Sequence, residues 1–226
     1  MIFTGTFFAE LLLLFLFSRM VTRKLSSIIY QVSKSQKLTI YFMAFLFFPG
    51  TILHELAHLI MAGILFVPVG QIDLWPKLEE DGIKLGSVAI AETDIFRRFV
   101  VGAAPFLFGV ALLLAILYFG VSNNLLSNQI FIIIMLYLTF EIGNTMFSSK
   151  KDMEGALELF GGILFVLLVF YFLGVRIPSF NPQLILENKT VVQIVKQGSI
   201  FLLVPLGVDL LVLILLRLTS FKRLPQ

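Results

Sequence analysis

The stretch His54-Glu55-Leu56-Ala57-His58 holds both histidines of the chain. On a helix the two imidazoles lie roughly 40° apart around the axis and about 6 Å apart along it, so both can reach one metal ion. Glu55 projects to the side, where a carboxylate can polarise a water on that metal. This is the arrangement of zinc hydrolases. Zinc lowers the pKa of a coordinated water toward about 7, and the glutamate takes its proton and passes it on. A shuffled chain of this composition would place both histidines in the pattern on the order of once in several thousand trials. The motif also lies in an apolar stretch, where two imidazoles and a carboxylate are costly without partners. A metal site accounts for them better than a buried polar cluster does.

Such a site needs a third protein ligand and an open position. There is no cysteine and no further histidine, so the ligand must be a carboxylate. The candidates in or near apolar stretches are Glu10, Glu141, Asp152, Glu154, Glu158 and Asp209. The absence of cysteine also excludes a disulfide framework and a thiol nucleophile.

The elements that must position these groups are written in the composition. The 226 residues are 58% hydrophobic and 14% charged. Soluble domains are roughly 45–50% apolar and about 25% charged. Too little polar surface remains to cover a water-soluble globule, so the excess apolar surface must face lipid. The net charge of +3 is scattered or gathered near segment ends, without the dense basic patch of a nucleic-acid binder. A spanning helix needs about 20 mainly apolar residues. Six stretches approach this: residues 2–17, 38–66 (interrupted by Pro49-Gly50), 96–121, 129–147, 156–175 and 200–218. The first has no basic region before it and no small-residue cleavage site after it, so it reads as a retained anchor helix.

Residues 19–37 carry Arg19, Arg23, Lys24, Lys34 and Lys37 and no acid, which marks a cytoplasmic loop. Six spans would then leave the basic C-terminus, with Arg217, Lys222 and Arg223, outside, so the two topology signals conflict. Residues 67–94 are the longest polar stretch and read as a β-hairpin turning near Glu79-Glu80-Asp81-Gly82. Trp75 reads as an interfacial anchor. Arg97 and Arg98 read as snorkelling end residues, and Lys150 and Lys151 as interface anchors. Residues 176–196, with Pro178 and Pro182, read as a mixed loop. The expected fold is an all-α polytopic membrane protein of about six transmembrane helices, with a small β-hairpin insertion between the second and third. One membrane-embedded domain spans residues 1–226, its catalytic core about 38–160.

Depth sorts the carboxylates. The second and fourth stretches cross in the same direction in an up-down topology. His54 and His58 lie roughly 16–20 residues into the second, Asp152 roughly 23 and Glu141 roughly 12 into the fourth, depths within reach of one another at about 1.5 Å per residue. Asp152 and Glu141 are therefore rival third ligands.

At this point the chain resembles the site-2 protease family of intramembrane zinc metalloproteases. That family carries HExxH on one transmembrane helix and an Asn-x7-Asp pattern on a later one. Asn144 through Asp152 has that spacing, two apolar stretches after the motif. Gly102-Ala103-Ala104-Pro105 is similar to the family's Gly-Pro-rich intervening helix. Lys151-Asp152-Met153 stands where the family commonly has Leu-Asp-Gly, and Phe108-Gly109 where it has an asparagine, so the chain reads as a divergent, minimal member. The resemblance implies Zn²⁺ held by His54, His58 and Asp152, Glu55 as the catalytic acid-base, and Asn144 holding the substrate or the site. It implies a zinc metalloendopeptidase that hydrolyses peptide bonds within or near transmembrane segments of other membrane proteins. It also implies that the hairpin presents an extended substrate. The alternatives are a membrane metallohydrolase with a non-peptide substrate and a non-catalytic metal-binding membrane protein. The expected partners are a membrane-protein substrate and the lipid bilayer, with no nucleic acid.

Overall fold

The structure, a computed structural model, describes residues 2–73, 77–79, 82–84, 87–147, 152, 154–172 and 188–221. Helix α1 runs Ile2–Ser33, well past the end expected near residue 17. No proline or glycine interrupts residues 18–33, and Arg, Lys, Leu and Gln are good helix formers. Most of the expected 19–37 loop is therefore helix. Its Arg19 lies one turn above Phe15, with the guanidinium 4.8 Å from the ring centroid.

The chain turns at Lys34, which has φ 52°. Ser35 then caps α2 (Gln36–Leu46), its hydroxyl oxygen accepting from the Leu38 N–H. The break expected at Pro49-Gly50 is present. Phe47 ends α2 and starts α3 (Phe48–Ile64), and the two helices are bent by 69°. Pro49 sits in the first turn of α3, where its missing N–H costs no helical hydrogen bond.

The hairpin is also present. β1 (Val69–Asp73) pairs antiparallel with β4 (Ser87–Ile90), and β2 (Lys77–Glu79) pairs with β3 (Gly82–Lys84). Glu79 opposite Gly82 places the turn where the sequence expects it. At the hairpin's foot, Val67 packs with Ala62 of α3 and Val101 of the next helix. That helix, α4 (Ile95–Ser122), is capped by Asp94, which accepts from the Arg97 N–H and pairs with the Arg97 guanidinium at 3.2 Å. Asn128 caps α5 (Gln129–Thr145). α6 (Glu154–Phe172) and α7 (Lys189–Phe221) follow. α7 begins earlier than residue 200 because Asn188 caps it there, accepting from the Thr190 N–H.

Among the described residues three helices, α1, α4 and α7, are each long and apolar enough to cross a membrane, and α2 with α3 makes a fourth if the bent pair counts as one span. α5, at 17 residues, is shorter than a usual span. Among the described residues these helices support three or four spans, and six are not confirmed. Trp75, Lys150, Lys151, the prolines of the 176–196 loop, Lys222 and Arg223 lie outside the described residues.

Helices α3, α4 and α5 surround the HExxH motif. α1 and α7 lie together behind α5, where Leu14, Leu113, Met146 and Leu202 are fully buried. A second cluster, around Val21, Met43 and Phe47, ties α1 to the α2–α3 bend, and Phe47 stacks on Phe140 of α5.

Candidate metal centre

The motif occupies the middle of α3, and the helix places His54 and His58 with ring centroids 5.0 Å apart. Each ring is held from behind by a backbone carbonyl. His54 Nδ1 lies 2.6 Å from the Thr145 oxygen, and His58 Nδ1 lies 2.8 Å from the Val101 oxygen. A carbonyl oxygen only accepts, so each Nδ1 carries a proton, and in the neutral form each ring keeps its Nε2 lone pair for a ligand.

Both carbonyls are available for a reason readable in the chain. Thr145 is the last residue of α5, where carbonyls have no helical donor. Val101 lies inside α4, where its oxygen would normally accept from the N–H of residue 105. Residue 105 is proline and has no N–H. Pro105 thus frees the oxygen that His58 needs.

Asp152 completes the group. Its Oδ2 lies 3.7 Å from His54 Nε2 and its Oδ1 lies 3.5 Å from His58 Nε2. With the Nδ1 atoms protonated, lone pairs of nitrogen and of carboxylate oxygen face one another, and a cation between them relieves the repulsion. The separations are longer than the roughly 2.7–2.9 Å of a charged N–H to carboxylate hydrogen bond. Among the described residues, His54, His58 and Asp152 form the group that could hold a metal ion, with one ligand atom from each lying within 4.8 Å of the others. The His58 side chain is 6% exposed, while those of His54 and Asp152 are 15% and 19% exposed. Glu55 is buried within electrostatic reach of His58.

Glycines allow the helices to meet this closely. A Cβ built on Gly102 of α4 would run into the Asp152 carbonyl oxygen. One built on Gly50 would stand 2.5 Å from Thr145 Oγ1 and 2.9 Å from the Glu141 oxygen, forcing α3 away from the carbonyl that holds His54.

The other expected carboxylates are engaged elsewhere. Glu141 Oε2 accepts from the Gly50 N–H at 3.1 Å. That N–H is among the unsatisfied donors at the start of α3, where a carboxylate also suits the helix dipole. Glu141 thus caps the broken helix and stands outside the metal group. Glu10 Oε2 accepts from Ser199 at 2.7 Å, linking α1 to α7. Asp209 Oδ1 accepts from Asn144 Nδ2 at 2.7 Å. Asn144 also donates to the Phe140 carbonyl, so its amide faces α7 and its own helix and is turned from the metal group. Glu154 and Glu158 begin α6, and their side chains lie outside the described ones. Sequence reasoning missed the Thr145 and Val101 carbonyls. The proline four residues after Val101 was a visible signal for the second.

No family model, curated protein or solved structure matches this chain.

Proposed function

We propose that the protein is a multi-pass membrane zinc metallopeptidase, of the kind that the site-2 protease resemblance implies, acting on peptide bonds within or near transmembrane segments. The observation that carries the reading is the meeting of Asp152 with His54 and His58 beside Glu55, across nearly one hundred residues of chain. The donor set suits zinc. Bonds of about 2.0–2.1 Å in a tetrahedral site separate ligand atoms by roughly 3.3 Å, close to the 3.5 and 3.7 Å found here.

A zinc ion bound there supplies Lewis acidity toward a carbonyl oxygen and acidifies a water. Every other part belongs to the chain. His54 and His58 are fixed in the tautomer that leaves Nε2 free, and Asp152 neutralises one of the two positive charges. Glu55 takes the proton of the attacking water and returns it to the leaving amine. Its burial beside His58 keeps bulk water from competing for that proton. Asn144 acts by joining α5 to α7 through Asp209, which steadies the turn bearing the Thr145 carbonyl.

The test uses purified protein in detergent with a set of transmembrane peptides. Zinc-loaded wild type is expected to cut at least one of them. Glu55→Gln is expected to keep its zinc and lose about 10²–10⁴-fold of the rate. Equal cutting by Glu55→Gln would contradict the assignment.

A further inference from the structure

A cavity of about 330 Å³ lies between α3, α4 and α5 and touches the His54 ring. Of its lining residues, Leu56 and Ile60 on α3 and Ala111 and Ala115 on α4 are exposed and apolar. Among the described residues, His54 and Thr145 are the only polar ones of the lining, and none with a formal charge faces it. An apolar group therefore enters without stripping water from any ion, and it arrives beside one of the three ligands of the metal group.

We propose that this cavity is the specificity pocket of the site. It takes one large apolar side chain, of phenylalanine or leucine size, adjacent to the peptide bond that is cut. The proposal rests on the peptidase reading above. Three features favour a side chain of a peptide as the occupant. The cavity is continuous with His54, so whatever fills it is tethered within a residue or two of the metal group. A cavity of about 150 Å³ lined by apolar residues already accepts benzene, so the space here suits a large side chain with part of its neighbour. The exposed lining residues belong to two neighbouring apolar helices, so the cavity reaches the surface that a transmembrane segment would approach. Ala111 and Ala115 are small, so a larger side chain at either position would take up part of the cavity.

The experiment uses zinc-loaded Glu55→Gln protein in detergent, which is expected to hold a peptide without cutting it. The probe is a Leu/Ala transmembrane peptide of about 20 residues with benzoylphenylalanine at its centre. A phosphatidylcholine with a photoreactive acyl chain is run beside it. After irradiation, peptide crosslinks are expected to concentrate on Leu56, Ile60, Leu112 and Ala115. The added variant Ala115→Phe, on the exposed face of α4, is expected to keep its zinc and lower those crosslinks about tenfold. Crosslinks spread evenly over the exposed faces of α1 and α7, or unchanged by Ala115→Phe, would overturn the proposal. So would acyl-chain crosslinks concentrated in the cavity with the peptide excluded, which would make it a lipid site. Zinc-loaded wild type incubated with the same peptide keeps the two readings apart. Cutting with scattered crosslinks removes the pocket and leaves the peptidase. Pocket crosslinks with no peptide ever cut support the binding site and remove the peptidase.

Discussion

His54 and His58 are chemically equal in the sequence, and the backbone behind each one turns its Nε2 toward Asp152. Without the Thr145 and Val101 carbonyls either nitrogen could carry the proton. With them, both Nε2 atoms face Asp152. Outer partners of this kind typically contribute 10–100-fold to metal affinity. Pro105 offers a direct test because it leaves the Val101 oxygen without a helical N–H. Pro105→Ala supplies a donor to the Val101 oxygen in competition with His58. Zinc affinity, measured by chelator competition, is expected to fall about tenfold while the helix itself is not weakened. Unchanged affinity would mean that the Val101 contact does not matter to the site. Gly102→Ala is expected to act on the other side of the group by displacing the Asp152 backbone, with a loss of about 10–100-fold in the same measurement.

The elements explain which parts of this were legible beforehand. The HExxH helix, the interruption at Pro49-Gly50 and the hairpin could all be read from local pattern, and all are present. The lengths of α1 and α7 could not, because hydropathy marks where a chain is apolar, and a helix continues through Arg19, Arg23 and Lys24 as readily as through leucine. The third ligand was open between Asp152 and Glu141 because counting residues along a straight helix places both near the histidines. The 69° bend removes the ambiguity by turning the first N–H groups of α3 toward α5, where Glu141 receives Gly50. Asn144 was singled out for its spacing from Asp152, but its partner Asp209 lies 65 residues away, beyond any local signal. That contact yields a prediction. Asn144→Ala leaves the fully buried Asp209 carboxyl without its donor, and thermal stability in detergent is expected to drop by about 1–3 kcal/mol. Asp209→Asn, which can still pair with Asn144, is expected to cost less. The reverse order would show that the two side chains do not act as a pair.

Taken whole, the described residues form a bundle that keeps its polar chemistry inside, beside an apolar core, and leaves many large apolar side chains outside. Leu12, Phe45, Ile133, Phe165, Leu211 and Leu215 are all largely exposed, while Glu55, His58, Glu141 and Asp209 are buried. That inversion suits lipid as the surrounding solvent and costs too much in water. The protein is expected to stay in the membrane pellet after an alkaline carbonate wash and to leave it only with detergent. Release by carbonate alone would contradict the membrane reading. α1 and α7, at roughly 48–50 Å, exceed the hydrocarbon thickness of about 30 Å, so their ends reach the headgroup regions. The proposed function depends on one ion held by His54, His58 and Asp152, side chains that could hold a metal together. The measurement that tests it most directly is the zinc content of purified wild type, His58→Ala, Asp152→Ala and Glu141→Ala. The account predicts one zinc per wild-type chain, lost in His58→Ala and Asp152→Ala and kept in Glu141→Ala. A folded wild type that takes up no zinc, or one that loses it in Glu141→Ala and keeps it in Asp152→Ala, would contradict it.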